Sequence, residues 1–375
     1  MISYHQMLST VTKDGLEMKL VKRDMPEPQP NEIVVQVEAT PINPSDHGVM
    51  FGWADLSQAV STGEGADRVL RAPLAPGGLA RMKGRLGQDL PVGNEGAGVV
   101  VAAGSDDFAQ SLIGKRVAVM GGGMYGGYRA VPAMNALPLP EGASARDGAS
   151  CFVNPLTALC FVETMRGEGH TAMVHTAAAS NLGQMLNRIC QADGVELVNV
   201  VRKQAQVDIL KDLGAKYIVN SSDDDFQLQL TDAIHATGAT LGFDAIGGGD
   251  MASKILVSME AAAARTPGAY SIYGSIAHKQ VYTYGSLDFS PTILNRAYGM
   301  AWGVGGWLLP NFLAKAGVET AVRLRKRVAA ELHTTFASHY TDEISLSEAL
   351  DADIVRRYNA KKTGEKFLIN PILDL

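Results

Sequence analysis

The sequence predicts an α/β protein that joins a doubly wound parallel sheet to a mainly antiparallel β domain. After residue 150, short β-branched segments alternate with amphipathic helical segments, which is the pattern of a parallel sheet built from βαβ units. Before residue 150, short strands and glycine-rich turns predominate, and the end of the chain returns to strands. We therefore expect two domains, one formed by residues 1–150 with 335–375 and the other by residues 151–334.

Length and composition exclude several classes of protein. The 375 residues suffice for two domains of ordinary size, and a formal net charge of −6 gives no electrostatic reason to expect nucleic acid or an anionic membrane as a partner. The three cysteines have no C-x-x-C spacing, which favours a reducing compartment. No apolar run reaches the roughly 18 residues of a membrane span, and the N-terminus lacks a signal-peptide core. The composition predicts a soluble, cytoplasmic protein.

The first predicted domain begins with a β-hairpin. Met7 to Val21 alternates weakly and turns at Gly15, and the next strand is predicted at Ile33 to Val37. Asn43 to Asp46 is typical of a turn that leads into a helix, with Ser45 or Asp46 as the N-cap.

Two further features of this domain call for an explanation. Glu95 stands among small apolar residues, so its carboxylate is expected to need a buried partner.

Residues 51–90 are irregular, and we expect an inserted loop or a short helical excursion there. Its basic residues indicate either a solvated loop or contacts to an anionic ligand. They are Arg68, Arg71, Arg81, Lys83 and Arg85.

The second predicted domain is organised around a βαβ unit at Thr171 to Arg202. An apolar strand gives way to small residues, a helix starts near Leu182, and Asp193-Gly194 ends that helix. A small-residue turn of this kind is the usual cradle for a dinucleotide pyrophosphate. Only Gly183 matches the G-x-G-x-x-G fingerprint, so an ordinary βαβ unit remains an open alternative.

Further strands are predicted at Glu196 to Val201, Tyr217 to Val219, Ala239 to Ala245 and Gly268 to Gly274. Ligands of a doubly wound sheet lie at the carboxyl ends of its strands. That rule predicts one ligand-binding edge lined by Ala177–Leu182, Arg202, Asn220, Gly247 and Tyr273.

The end of the second strand indicates which dinucleotide is bound. NAD sites usually have an acidic residue there, whereas this chain has Arg202 and Lys203. Cations at this position attract a ribose 2′-phosphate, and an arginine can pair with it bidentately. We therefore predict NADPH as the cofactor, with two solvated basic residues as the alternative.

Seven short motifs, in order along nearly the whole chain, resemble the medium-chain dehydrogenase/reductase superfamily. The resemblance implies a Rossmann cofactor domain and a GroES-like catalytic domain. The motifs are P-x-P-x-x-x-E at Pro26–Glu32, INPSD at Ile42–Asp46, VGNEGAGVVVAAG at Val92–Gly104, GKRVAV at Gly114–Val119, VNPLTA at Val153–Ala158, LGA at Leu213–Ala215 and FDAIGG at Phe243–Gly248.

The same motifs indicate a branch without metal. Zinc members of the superfamily have a cysteine after the first strand and a histidine in a G-H-E motif, where this chain has Pro44-Ser45 and Asn94. We interpret His47 and Glu95 as structural residues instead of zinc ligands, so no metal site is predicted. The metal-free branches that this chain resembles are NADPH:quinone oxidoreductases and 2-enoyl thioester reductases.

The enoyl thioester reductases carry a tyrosine shortly after INPSD, and Met50 to Asp55 contains none. The first hypothesis is therefore an NADPH-dependent reductase of quinones or conjugated carbonyls. The second is an enoyl thioester (enoyl-CoA or acyl-carrier-protein) reductase whose basic insertion binds an anionic carrier such as coenzyme A. The third, of another class, is a non-catalytic NADPH-binding sensor or structural protein.

The resemblance also implies roles for individual residues and a homodimer formed through the Rossmann domain. The implied substrate-pocket residues are Asn43, Trp53, Tyr125 and Tyr128. The predicted cofactor-binding residues are Asn43, Thr157, Ala178, Ala179, Ser180, Asn181, Leu182, Arg202, Lys203, Tyr217, Asn220, Gly247, Tyr273, Gly274 and Ser275.

Overall fold

Strands dominate the two ends of the chain, and helices alternate with strands in its middle. The computed structural model describes residues 2–265 and 271–374. The strands are β1 (Ser3–Thr12), β2 (Gly15–Asp24), β3 (Glu32–Pro41), β4 (Val60–Thr62), β5 (Val69–Ala72), β6 (Asp89–Pro91), β7 (Glu95–Ala103), β8 (Arg116–Met120), β9 (Tyr128–Pro132), β10 (Ala136–Pro138), β11 (Ala172–Thr176), β12 (Glu196–Val201), β13 (Tyr217–Asn220), β14 (Leu241–Asp244), β15 (Gly247–Gly249), β16 (Lys279–Thr283), β17 (Asp288–Thr292), β18 (Trp302–Gly306), β19 (Asp342–Ile344) and β20 (Phe367–Ile369). The α-helices are α1 (His47–Met50), α2 (Gly78–Arg81), α3 (Asp107–Gln110), α4 (Ala145–Gly148), α5 (Val153–Gly167), α6 (Asn181–Asp193), α7 (Gln204–Asp212), α8 (Phe226–Thr237), α9 (Met251–Ala264), α10 (Leu309–Ala330) and α11 (Ala352–Asn359).

These elements form two compact units, Met1–Val153 with Arg325–Leu375 and Asn154–Leu324. The first unit contains two mainly antiparallel sheets, with strand orders β4-β5-β2-β1-β6 and β10-β8-β7-β3-β20-β19, and β9 also pairs with β3. The second contains a sheet of order β13-β12-β11-β14-β16-β18, whose neighbouring strands are all parallel. A parallel α/β sheet and an antiparallel β unit in one chain confirm the predicted fold class.

Residues 51–90 contain the short helix α2, as the predicted helical excursion allowed, but they also contain three short strands that the prediction missed. β5 pairs with β2 of the N-terminal hairpin, β4 pairs with β5, and β6 pairs with β1. Leu70 of β5 is fully buried in the same hydrophobic cluster as Met7 and Met18. Strands of three or four residues are too short to show a period of two in the sequence, which explains the error.

The predicted βαβ unit is present. β12 has the predicted bounds Glu196–Val201, and α6 ends at Asp193 with Gly194 as its C-cap, whose φ of 65° is the left-handed conformation expected of a C-cap glycine. Val198 of β12, Leu230 of α8 and Ile255 of α9 belong to one buried hydrophobic cluster, so the helices cover the sheet through apolar side chains. This packing fixes where each strand ends, and the ends form the edge described below.

The predicted fifth strand, Gly268 to Gly274, is absent from the part of it that the structure describes, residues 271–274. Residues 266–270 lie outside the described part of the chain, residues 271–275 form no strand, and the strand that follows is β16 at Lys279–Thr283. Lys279 is 1% exposed, and its ammonium pairs with Glu260 at 2.7 Å. A buried lysine at the start of a strand breaks the apolar pattern that the sequence argument relied on.

The longest helix, α10, contains a kink at Gly317, where φ is 85°, so it is two helices in succession. Across the described ranges, every helix is too short or too polar to cross a lipid bilayer.

Candidate functional site

The turn between β11 and α6 is built for close approach of the backbone. Ala177 has a φ of 53°, a conformation that glycine usually supplies, and the Ser180 side chain accepts a hydrogen bond from the Gly183 N–H at 3.1 Å. A Cβ on Gly183 would lie 2.1 Å from the carbonyl oxygen of Ala178, so only glycine lets the helix pack this tightly on the turn. The turn and first helical residues bring together the predicted Ala178, Ala179, Ser180, Asn181 and Leu182.

A buried hydrogen-bond network connects the carboxyl ends of β11 and β14. The Thr176 hydroxyl donates to the Asp244 carboxylate at 2.8 Å and accepts from the Ala245 N–H at 2.8 Å. Asp244 also accepts from the backbone N–H groups of Ile246 and Gly247 at 3.0 and 3.1 Å. These bonds hold Gly247 just beyond the end of β14. The sequence analysis did not identify Thr176 and Asp244; an acidic residue that ends an apolar strand was the available signal.

Arg202 and Lys203 follow β12 immediately, and both side chains are exposed. The Arg202 backbone N–H donates to Gln206 Oε1 at 2.9 Å, and its carbonyl accepts from the Ser222 hydroxyl at 2.8 Å. β13 is the neighbouring strand and ends at Asn220, so Asn220 lies at the same edge. Within the described residues, neither the guanidinium nor the ammonium group has an ion pair or hydrogen bond, which leaves both cations available to an anionic group.

Tyr217 lies at the wrong end of its strand for the role that the resemblance implied. It begins β13 and pairs with Val198, two positions after the start of β12, whereas the cations follow the end of β12. Its ring packs against the hydrophobic cluster of the second unit. This placement gives no support to a contact between the Tyr217 hydroxyl and the cofactor.

Tyr273, Gly274 and Ser275 also lie away from the predicted edge, because they precede β16 rather than follow it. Ser275 donates to Glu260 through its backbone N–H at 2.8 Å and its hydroxyl at 2.6 Å, and Lys279 donates to the Ser275 hydroxyl at 2.7 Å. A Cβ on Gly274 would lie 2.5 Å from a Glu260 oxygen. These contacts describe a structural ion pair that anchors the start of β16.

The first unit holds a buried carboxylate of a different kind. Glu95 is 1% exposed; its Oε1 accepts from the Asn43 amide Nδ2 at 2.7 Å. Its Oε2 accepts from the backbone N–H groups of Phe152 and Val153 at 2.8 and 2.9 Å, at the start of α5. Burial raises the pKa of this carboxyl group. The predicted need for a buried partner is confirmed, and Glu95 fixes which way the Asn43 amide faces.

Asp46 is a second buried carboxyl group, 1% exposed. It precedes α1 but does not cap that helix through its side chain. Instead, its Oδ2 accepts from the Asn43 N–H at 2.7 Å and its Oδ1 from the Asn94 N–H at 2.8 Å. Burial raises the pKa of Asp46 to about 7, and the nearby charge of Glu95 acts in the same direction. Asp46 is therefore the N-cap residue of α1, as one alternative of the prediction held, but its side chain makes no capping hydrogen bond.

One cation accompanies the two carboxyl groups. The Lys366 ammonium donates to the Ser150 hydroxyl at 2.7 Å, and that hydroxyl lies 2.7 Å from the Tyr340 hydroxyl. Burial lowers the pKa of Lys366 to about 8, although the charges of Glu95 and Asp46 oppose this change. The sequence analysis gave Lys366 no role, since its partners lie far away along the chain.

Tyr125 and Tyr128, which the resemblance implies in the substrate pocket, are both buried. Tyr125 is fully buried, and its hydroxyl donates to the Pro41 carbonyl at 3.1 Å. Tyr128 is 7% exposed, and its ring packs edge-on against Tyr4 with the ring centroids 5.6 Å apart. Both rings fill the interior of the antiparallel unit.

Trp53 and Thr157 are the remaining predicted residues. Trp53 is partly buried against the hydrophobic cluster of the N-terminal sheet, and the guanidinium of Arg81 lies 4.1 Å from its ring centroid. Thr157 is 7% exposed and belongs to α5. These positions neither support nor oppose a contact with substrate or cofactor.

His47 packs between aromatic rings instead of facing a set of ligands. Its ring centroid lies 5.3 Å from that of Phe51 and 5.9 Å from that of Tyr358, and burial lowers its pKa to about 3. Among residues 2–265 and 271–374, no group of three or more His, Cys, Asp and Glu side chains is arranged to hold a metal ion.

The antiparallel unit has the GroES-like fold and the parallel unit the Rossmann fold; together they give this chain the two-domain fold of the medium-chain dehydrogenases and reductases, as the motifs implied. A proposed NADPH:quinone reductase from Mesorhizobium loti has a similar structure, with a TM-score of 0.75, 24% identity and coverage of 99% of both chains. The complex of Etr1p with NADP and crotonyl-CoA is also similar, with a TM-score of 0.67, 19% identity and coverage of 99% of this chain and 100% of that chain.

Among curated sequences, the mitochondrial enoyl-[acyl-carrier-protein] reductase of Rattus norvegicus is 31% identical over 175 residues, which are 43% of this chain and 46% of the relative. This chain spans less than half the length of the curated relatives that it matches. No protein-family model matches the chain.

Proposed function

We propose that this protein is an NADPH-dependent reductase that transfers a hydride to a quinone or a conjugated carbonyl without a metal ion. The observation that carries the proposal is the carboxyl edge of the parallel sheet. There, a tight small-residue turn at the start of α6 lies on the same edge as the exposed cations Arg202 and Lys203. The similarity to a proposed NADPH:quinone reductase supports the same assignment.

The residues of this edge fit NADPH. The backbone N–H groups at the start of α6 favour the pyrophosphate, because a helix N-terminus attracts anions. The Arg202 guanidinium is the group that would pair with the 2′-phosphate. NADPH supplies the hydride when it is bound. Asn43, which the resemblance implies at the nicotinamide, has its amide held in one orientation by Glu95.

Turnover with a panel of acceptors tests this proposal. NADPH oxidation is followed at 340 nm with 1,4-benzoquinone, methyl vinyl ketone and crotonyl-CoA. We expect the quinone or the enone to give the highest kcat/KM. Tight NADPH binding without oxidation by any acceptor would contradict the proposed function and favour the non-catalytic NADPH-binding protein.

Reduction of an enoyl thioester is the second candidate. It is favoured by the similarity to an enoyl-[acyl-carrier-protein] reductase and to the crotonyl-CoA complex of Etr1p. Several basic side chains of segment 68–85, however, already contact other groups of this protein. Its internal contacts are Arg68 with Ser347 and Asp351, Arg71 with Glu17, and Arg85 with Val49 and Ser9. A higher kcat/KM for crotonyl-CoA than for the quinone and the enone would favour this candidate.

We also propose that two copies of the chain associate through the parallel unit. In the order of described strands, β18 ends the sheet. Apolar side chains that follow β15 are exposed: Phe289 is 64%, Ile293 59% and Met300 74% accessible. These three exposed side chains, called the apolar patch below, favour burial against another protein surface, and a second copy is the partner that the resemblance implies.

A further inference from the structure

Ser45 and Asn94 place a hydroxyl and a carboxamide side by side at the surface of the antiparallel unit. The Asn94 Nδ2 donates to the Ser45 Oγ at 3.1 Å; Ser45 is exposed and Asn94 half-buried. Because Ser45 accepts this bond, its own hydroxyl hydrogen is free to donate elsewhere. Across the described residues, that hydrogen and the second hydrogen on Asn94 Nδ2 have no protein acceptor.

The pair is held in place by the backbone of Asn94. Its N–H donates to the buried Asp46 carboxyl at 2.8 Å, and its carbonyl accepts from the N–H groups of Gly121 and Gly122 at 3.2 and 3.3 Å. The other Asp46 oxygen holds the N–H of Asn43. Donors that are fixed before a ligand arrives stabilise developing charge with little cost of reorganisation.

We propose that Ser45 and Asn94 bind the carbonyl oxygen of the substrate and stabilise the negative charge that forms on it. This inference rests on the proposed reduction of conjugated carbonyls or quinones. The hydride and its electron pair form a C–H bond at the β-carbon, the C=C π electrons shift, and the charge appears on the carbonyl oxygen. A proton from water then neutralises the product at the α-carbon, and NADP⁺ is left. With a quinone, the charged product is the hydroquinone anion.

Tyrosine hydroxyls cannot take this role at the predicted positions. The stretch Met50 to Asp55 contains no tyrosine, Tyr125 donates to a backbone carbonyl in the interior, and Tyr128 is buried. Ser45 is exposed and Asn94 half-buried, so both side chains can donate to a ligand at the surface.

A spectroscopic probe tests the inference without turnover. The conjugated aldehyde 4-(dimethylamino)cinnamaldehyde absorbs at longer wavelength when its carbonyl oxygen accepts hydrogen bonds, and it is titrated into the full chain in the absence of NADPH. We expect a red shift with the unchanged protein. Ser45→Ala and Asn94→Ala should each reduce the shift and weaken binding by about 3- to 10-fold, the effect of one neutral hydrogen bond.

Two variants control this experiment. Ser45→Thr keeps the hydroxyl and should restore the shift. Ser57→Ala removes another exposed serine hydroxyl of the same unit, which donates to Asp55 at 2.6 Å, and should leave the shift unchanged. Far-ultraviolet circular dichroism checks that each variant is folded.

The outcomes separate this inference from the proposed function. Absence of a red shift in the unchanged protein, or an unaltered shift in the Ser45→Ala, Asn94→Ala double variant, would overturn the role of the pair even if NADPH is oxidised. A red shift that disappears in the double variant supports the carbonyl site, even if the acceptor panel shows no turnover and the reductase proposal fails.

Discussion

Arg202 is the residue on which the choice between NADPH and NADH depends. Its exposed guanidinium has no acidic partner in the described structure and follows β12 directly. Arg202→Ala should raise the Kd for NADPH about 10- to 100-fold, the range of one charge-assisted hydrogen bond, and change the Kd for NADH less than about 2-fold. Isothermal titration with both dinucleotides measures the two constants.

Lys216→Ala is the matched control for this change, because Lys216 is an equally solvated cation that precedes β13 and pairs with Glu196 instead. It should leave both constants unchanged. An equal loss of affinity for NADPH and NADH in Arg202→Ala would contradict an interaction with the 2′-phosphate.

Asp46 makes the stability of the fold depend on pH. Burial raises its pKa to about 7 from an ordinary value near 4, so the folded state holds this proton more tightly than the unfolded state. The contribution of Asp46 to the free energy of unfolding is therefore most favourable at low pH, and this contribution is lost as the pH rises towards 7. Asp46→Asn should lower the free energy of unfolding at every pH, because an amide nitrogen then faces a backbone N–H. The variant has no carboxyl group at this position, so its free energy of unfolding should lack this pH-dependent contribution.

The free energy of unfolding of Asp46→Asn should accordingly rise, relative to the unchanged protein, by roughly 2–3 kcal/mol between pH 5 and pH 8. Urea unfolding at the two pH values measures the difference. Asp55→Asn is a control for which the pH dependence of stability should have the opposite sign, since hydrogen bonds from Ser57 and Gln58 lower the pKa of Asp55. Parallel pH profiles for Asp46→Asn and the unchanged protein would show that burial does not retain the proton.

At the level of elements, the β11–α6 junction depends on one glycine. A Cβ at Gly183 would meet the backbone of Ala178, which cannot rotate away as a side chain can. Gly183→Ala should destabilise the protein by about 1–3 kcal/mol, the usual cost of overpacking, and weaken dinucleotide binding because α6 moves off the turn. Chemical unfolding and NADPH titration measure the two effects.

Gly167→Ala provides the comparison for this junction. Gly167 is the last residue of α5 and has open space where a Cβ would stand. Alanine there should be neutral or stabilising by up to about 1 kcal/mol, because alanine favours helix. If Gly183→Ala behaved in the same way, the close packing of α6 on the turn would be disproved.

Elements that depend on local sequence were predictable, and those that depend on distant partners were not. α6 and its Gly194 cap follow from periodicity and one glycine, and the structure has both. β16 was misplaced because its first residue is a buried lysine whose partner, Glu260, belongs to the preceding helix. The strands within residues 51–90 were missed because each is only three or four residues long and is stabilised by pairing with the N-terminal hairpin.

The same distinction between local sequence and distant partners applies to the residues of the candidate site. The small-residue turn and Arg202 could be predicted because each occupies a fixed place in a βαβ unit. The network of Glu95, Asp46 and Lys366 joins the first and last parts of the chain, and no spacing in the sequence indicates such contacts. Only the isolation of Glu95 among apolar residues gave a signal, and it predicted a partner without identifying Asn43.

At the level of the whole molecule, the exposed apolar residues of the parallel unit predict a homodimer. Light scattering coupled to size-exclusion chromatography should give about twice the chain mass of 39.8 kDa. Phe289→Asp with Ile293→Asp places two charges on the apolar patch and should give the monomer mass, since burying unpaired charges opposes association. Phe108→Asp, at a 45% exposed phenylalanine of the antiparallel unit, should remain a dimer. A monomer mass for the unchanged chain, or a dimer mass for the doubly charged variant, would exclude this patch as the interface.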